Sequence, residues 1–134
     1  MKEKILRIAQ QSKAASRRLS NLSTKIKNDS LLFMADILEE RIAFIIDANS
    51  KDIQHARENG LSSAFIDRLT LNNARIMEMS KGLRDVAVLP DPVGEVVRMW
   101  RRPNGLQIGK IRTPIGVIGI IYESRPNVTV DAAA

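Results

Sequence analysis

The sequence has no cysteine, a single histidine, one tryptophan, one tyrosine and three phenylalanines in 134 residues. Without a thiol it can build no disulfide, no zinc–thiolate centre and no cysteine nucleophile of its own, a usage that suits a reducing compartment. His55 alone cannot hold a metal ion, so no metal site is expected. Five prolines and seven glycines are too few for a low-complexity or collagen-like chain. No apolar run approaches the roughly 18 residues that span a bilayer, and the N-terminus lacks an apolar stretch ending in a small-residue cleavage site. We therefore expect a cytoplasmic protein with no membrane partner.

What the chain does have is 44% hydrophobic and 27% charged residues with a formal charge of +6, a globular composition of single-domain size. The positive balance is local. Residues 1–28 carry Lys2, Lys4, Arg7, Lys13, Arg17, Arg18, Lys25 and Lys27 against Glu3 alone. Such a stretch can be a nucleic-acid or anionic-membrane footprint, but no aromatic residues accompany it for stacking on bases. Ile5, Ile8, Ala15, Leu19, Leu22 and Ile26 recur near helical spacing, which predicts an amphipathic helix docked by its apolar side with its charges in water.

Helical patterning continues to residue 89. Leu31, Met34, Ala35, Leu38, Ile42, Ile45 and Ile46 form one apolar stripe, with Phe33, Ile37 and Phe44 beside it. These predict one helix over 30–47, capped by Asp29 or Ser30 and covered on two sides. Asn49 or Ser50 is expected to cap a shorter helix that stops at Asn59-Gly60. A helix from Ser62 or Ser63 and another from about Asn72 follow, the second ending before Pro90 and Pro92. The texture then changes. Residues 93–100 and 106–113 flank Arg102-Pro103-Asn104-Gly105, the chemistry of a type I turn closed by a glycine bulge, which predicts a β-hairpin. Residues 115–122 carry no charge and do not alternate, as expected of a strand buried inside a parallel sheet. A new helix starts after Pro126. A buried parallel strand needs a crossover and a second strand, so these residues are expected to be the front part of a longer protein.

No glycine-rich dinucleotide or phosphate loop and no paired-histidine or paired-cysteine motif is present. His55, among polar neighbours on a predicted helix, reads as a surface residue. Position and chemistry coincide at 122–127, the carboxyl end of the apolar run leading into a helix. Ligands of open α/β sheets bind at such ends. Arg125 could meet a phosphate or carboxylate there, and the Asn127 amide could donate to an oxyanion. Equally, Pro126 and Asn127 could do no more than start the helix.

Three runs in this region carry a resemblance. Leu89-Pro90-Asp91-Pro92-Val93-Gly94-Glu95-Val96, Arg102-Pro103-Asn104-Gly105-Leu106 and the run from Pro114 through Ile121-Tyr122-Glu123-Ser124-Arg125-Pro126-Asn127-Val128-Thr129-Val130-Asp131 to Ala134 closely resemble the γ-glutamyl phosphate reductase family. Ala48-Asn49-Ser50-Lys51-Asp52 and Arg57-Glu58-Asn59-Gly60-Leu61-Ser62 extend the resemblance into the helical part. It implies the aldehyde dehydrogenase superfamily and an α/β fold: an N-terminal helical segment, a β-hairpin, then the first strand and helix start of a parallel sheet, an incomplete domain. The implied divisions are residues 1–92, a helical part of the cofactor-binding domain; 93–113, the hairpin of an oligomerisation arm; and 114–134, the first βα unit of the NADP-binding sheet.

The implied reaction takes L-glutamyl 5-phosphate to a thioester on a cysteine, then to L-glutamate 5-semialdehyde by hydride from NADPH, on the way to proline. Asn127, following Arg125-Pro126, matches the superfamily's oxyanion donor. Arg125 would contact substrate, and Ile121, Tyr122, Glu123 and Ser124 would lie along the cofactor. A homo-oligomer formed through the hairpin is implied, with no nucleic-acid partner. The family's nucleophilic cysteine has no counterpart here, so this segment alone is expected to be inactive. The competing reading is a non-catalytic helical interaction module whose basic first helix binds nucleic acid or an acidic partner.

Overall fold

In the computed structural model, which describes residues 2–134, six helices and one hairpin follow in the order α1 (Lys2–Leu19), α2 (Thr24–Glu40), α3 (Ile42–Glu58), α4 (Ser63–Leu69), α5 (Asn73–Ala87), β1 (Val96–Arg101), β2 (Gln107–Ile111) and α6 (Pro126–Asp131). They fall into two units, one made of residues up to Thr24 with Pro90–Gly119 and the other of Lys25–Leu89 with Ile120–Ala134.

The first unit holds α1 and the hairpin. α1 buries none of its residues, and Ile5, Leu6, Ile8 and Leu19 are exposed. The expected helix is there only as far as Leu19, with Leu22 beyond it and Ile26 on α2, and the expected docking of its apolar side is absent, because no described residue covers that stripe. The hairpin follows its turn chemistry closely. The Gly105 amide donates to the Arg102 carbonyl at 2.9 Å, the Arg102 amide donates to the Leu106 carbonyl at 2.8 Å, and Gly105 takes the left-handed conformation at φ 86°. A side chain at that φ would be strained, which is why glycine closes the turn. Strand pairing is antiparallel, Trp100 opposite Ile108 and Met99 opposite Gly109, with a bulge between Val96 and Arg98.

The second unit contains the core. Leu71, Ile76 and Met79 are buried together, and Leu38, Ile42, Ile45, Ile46 and Val130 pack against them. The stripe expected on one long helix therefore exists, but it is split. Arg41, at φ −102° and ψ 13°, separates α2 from α3. The bonds on either side still run four residues back, from the Arg41 amide to the Ile37 carbonyl at 3.0 Å and from Ile45 to Arg41 at 2.9 Å. Neither glycine nor proline stands at the break, so nothing in the local sequence marks it. The second stripe is not covered as expected, since Phe33 is 65% and Phe44 69% exposed.

Asn49 also departs from expectation. It is buried inside α3 rather than capping a new helix. Its amide donates to the Leu69 carbonyl at 2.9 Å and its oxygen accepts from the Leu71 amide at 2.7 Å, so it ties α3 to the loop between α4 and α5. Nor do Asp29 and Ser30 cap a helix, since α2 starts at Thr24 and both lie inside it, the Ser30 hydroxyl donating to the Ile26 carbonyl; the signals that follow are met. Asn59-Gly60 ends α3 with Gly60 at φ 68°, the Leu61 amide donating to Ala56 and the Gly60 amide to Arg57, both at 3.0 Å. That is the paired closure a left-handed glycine permits. Ser62 caps α4 by accepting from the Phe65 amide, and Asn72 caps α5 by accepting from Arg75.

α2 and α5 are joined by a polar cluster. Buried Ser80 donates to Glu39, while the Arg84 guanidinium donates to Asp36 at 2.7 Å and to Glu39 at 3.0 Å. The Ser80 hydrogen bond first, then Arg84, holds the Glu39 carboxyl below its ordinary value. A carboxyl depressed in the folded state stabilises the fold above the unfolded pKa and loses that contribution as pH falls through the folded one. Glu39→Gln should therefore flatten the loss of stability below about pH 4.5, read from urea midpoints at pH 7 and pH 3. An unchanged acid slope would show that Glu39 takes no part in it.

Residues 115–122 form no strand; the sheet has two strands, β1 and β2. The run is exposed throughout, with Ile115, Ile118 and Ile121 largely in solvent. A parallel strand exists only by pairing with another, and none of the described residues provides that partner. The expected order of helices, hairpin, apolar run and helix start is the one observed, with the run unpaired.

Candidate functional site

The 122–127 turn is anchored at both ends by α6. Pro126 opens that helix at its first turn, where its fixed φ is already helical and its missing N–H goes unneeded. Val130, one turn on, packs onto the Leu71–Ile76–Met79 cluster. At the other end the Tyr122 hydroxyl and the Thr129 hydroxyl are hydrogen-bonded at 2.7 Å. Between them Ser124 has φ 49°, a left-handed conformation that costs a non-glycine residue on the order of 1 kcal/mol and concentrates at functional turns.

The α6 turn and the start of α5 enclose a cleft of about 410 Å3. Arg125, Pro126 and Asn127 line one side, with Asp131 a turn further on. Asp67, Arg68, Thr70 and Arg75 come from the α4–α5 side, with Glu78 and Met79 further along α5. Arg75 is a strut of this wall. Its guanidinium donates to the Asp67 carbonyl at 2.5 Å, the Thr70 carbonyl at 2.6 Å and the Asp67 carboxylate at 3.1 Å. Asn127 is exposed and donates one amide hydrogen to the Asp131 carboxylate at 3.1 Å. That bond orients the amide and leaves its second hydrogen free to donate, the requirement for stabilising a developing oxyanion.

Of the residues singled out from sequence, Arg125 and Asn127 share the cleft. Ile121, Tyr122, Glu123 and Ser124 precede it and do not line it; the first three are exposed and Ser124 is half-buried. Arg68 and Glu78 are cleft residues that sequence reading misses. They lie some fifty residues from the turn in the chain, and only the packing of Val130 on α5 brings them to it, so no local signal could have found them. His55 is exposed on α3, as expected. No cluster of potential metal ligands occurs among the described residues, and no described helix is long and apolar enough to cross a membrane. On the hairpin the Arg98 guanidinium lies 5.4 Å from the Trp100 ring centroid, a cation–π distance.

Comparison with known proteins gives a consistent answer, although no family model matches the chain. It is 58% identical over 132 residues to the γ-glutamyl phosphate reductase of Carboxydothermus hydrogenoformans, covering 98% of this chain and 32% of that protein. To the reductase of the same name from Syntrophomonas wolfei it is 57% identical over 133 residues, again covering 32% of the relative. The crystal structure of γ-glutamyl phosphate reductase from Thermotoga maritima superposes with a TM-score of 0.91 at 47% identity, over 96% of this chain and 31% of that one. The Saccharomyces cerevisiae enzyme follows at 0.87 and 34%, over 94% and 32%. The chain thus spans about a third of the length of the relatives it matches. By sequence and by fold it matches the N-terminal third of γ-glutamyl phosphate reductases.

Proposed function

We propose that this chain forms the N-terminal part of an oxidoreductase of proline biosynthesis, a reductase that converts L-glutamyl 5-phosphate to L-glutamate 5-semialdehyde and phosphate with NADPH. The observation that carries the reading is Asn127, an oriented amide with a free hydrogen on the wall of a charged cleft, in a chain 58% identical to a reductase of that name. Acyl transfer from a phosphate leaving group passes through tetrahedral species that carry negative charge on the former carbonyl oxygen. An amide N–H aimed at that oxygen stabilises them, and Arg125 in the same cleft can pair with the phosphate.

The covalent nucleophile is a thiolate in this chemistry, and the 134 residues contain no cysteine; the segment alone is proposed to be inactive. Ile121, Tyr122, Glu123 and Ser124 are the residues here that would lie along a nicotinamide cofactor. The exposure of Ile121, Tyr122 and Glu123 just ahead of Asn127 suits that role. When bound, such a cofactor supplies the hydride. The division into residues 1–92, 93–113 and 114–134 is carried forward with the same reading. The hairpin is proposed as the oligomerisation arm: all of β1 is exposed and Met99 and Trp100 offer an apolar anchor. A cytoplasmic location is proposed, with no nucleic acid or membrane as partner.

The test is a chimera in which this chain replaces the matching third of the Carboxydothermus reductase. It should let a proline-requiring cell that lacks its own γ-glutamyl phosphate reductase grow without proline. A stably produced chimera that fails to do so would contradict the reading.

A further inference from the structure

The charges in the cleft divide into those already engaged and those still open. Asp67 is bound by Arg75, and Asp131 accepts from Asn127. Arg68, Arg125 and Glu78 have no ion-pair partner among the described residues. Asp131 likewise has no ion-pair partner but is committed to holding the Asn127 amide; the remaining two cations and one anion, facing a space of about 410 Å3, call for a small ligand with two anionic groups and one cationic group. Arg125 lies beside Asn127 on the α6 side, whereas Arg68 and Glu78 come from α4 and α5. One end of the ligand therefore faces the oxyanion donor and the other faces Arg68 and Glu78.

We propose that Arg68 and Glu78 read the amino-acid end of the substrate, Arg68 pairing with the α-carboxylate and Glu78 with the α-ammonium, while Arg125 takes the phosphoryl group. This rests on the reductase reading and adds to it the residues that select an α-amino acid over a plain carboxylic acid. The placement also explains why Arg75 is locked against the Asp67 and Thr70 carbonyls: it fixes the C-terminal end of α4, which carries Arg68.

The experiment uses the same chimera in the oxidative direction, with NADP and phosphate, on L-glutamate 5-semialdehyde and on its analogue without the amino group, 5-oxopentanoate. Glu78→Gln should raise KM for the semialdehyde roughly 10- to 100-fold, the size of a lost charge-assisted hydrogen bond. KM for 5-oxopentanoate and both kcat values should stay within about twofold, because that analogue has no ammonium to lose. Arg68→Gln should raise KM for both, since both keep a carboxylate. Equal changes on the two substrates with Glu78→Gln, or none, would overturn the proposal. An inactive parental chimera would count against the reductase reading instead. The cleft is then tested by titrating L-glutamate and glutarate into the 134-residue chain by NMR. Shifts at Arg68 and Glu78 that L-glutamate produces, and that Glu78→Gln abolishes, would uphold the assignment; their absence would overturn it.

Discussion

Asn127→Ala in the chimera is expected to lower kcat about 100- to 1000-fold, the loss typical of one oxyanion donor, with KM changed by no more than a few fold. The split follows from when the contact matters. A ground-state carbonyl oxygen is a modest acceptor, whereas the oxygen of a tetrahedral intermediate carries nearly a full charge. The hydrogen bond therefore strengthens mainly in the transition state. The Asn127 amide is restrained by Asp131 at 3.1 Å before anything binds, so no reorientation opposes that gain. Asp131→Ala provides the check on this positioning: the donor remains but its restraint is lost, so a smaller fall in kcat is expected. A full-strength Asn127→Ala enzyme would show that the residue only starts α6. A rise in KM with unchanged kcat would show that it binds substrate without stabilising the charge.

The second large effect is on stability. Asn49→Ala should cost about 3 kcal/mol, because it orphans two backbone groups at once, the Leu71 amide and the Leu69 carbonyl, each at about 1–3 kcal/mol when buried. Asn49 is 5% exposed and Leu71 8%, so water cannot fully replace the lost partner. Urea unfolding of the chain reads the change directly. Asn49→Asp separates the two bonds, since a carboxylate still accepts from Leu71 but no longer donates to Leu69. It also leaves a carboxylate buried without a counter-charge and facing the Leu69 carbonyl, so it should cost at least as much as alanine at pH 7. The same loop carries Thr70 and Leu71 into the cleft wall, which makes Asn49 a support of the site as well as of the core. A loss below about 0.5 kcal/mol for Asn49→Ala would mean that the α4–α5 loop is held by other contacts.

Local chemistry is the legible part of this fold. Ser62, Asn72, Gly60 and Gly105 each act through a backbone bond within a few residues, so the sequence around them is sufficient to read them. Arg41 is not legible, because a helix break without glycine or proline leaves no compositional mark. Asn49 misleads because Asn before Ser and Lys looks like a cap, and only the distant loop at Leu69 and Leu71 explains its burial. The apolar stripes of α1 and of Phe33 and Phe44 are indeed helical faces, but whether a face is covered depends on what packs there, which periodicity does not encode. The same holds for the site. Arg125 and Asn127 stand out because turn, proline and position converge on them, whereas Arg68 and Glu78 become part of the cleft only through tertiary packing of α6 on α5.

Whether these residues serve a reductase acting on a γ-glutamyl acyl group is tested most directly by one rate. The chimera, shown by its unfolding transition to be folded, is supplied with L-glutamate 5-semialdehyde and NADP with and without inorganic phosphate, and nicotinamide reduction is followed. Phosphate-dependent turnover within about tenfold of the parent Carboxydothermus enzyme is the predicted result. A folded chimera with no phosphate-dependent turnover would contradict it.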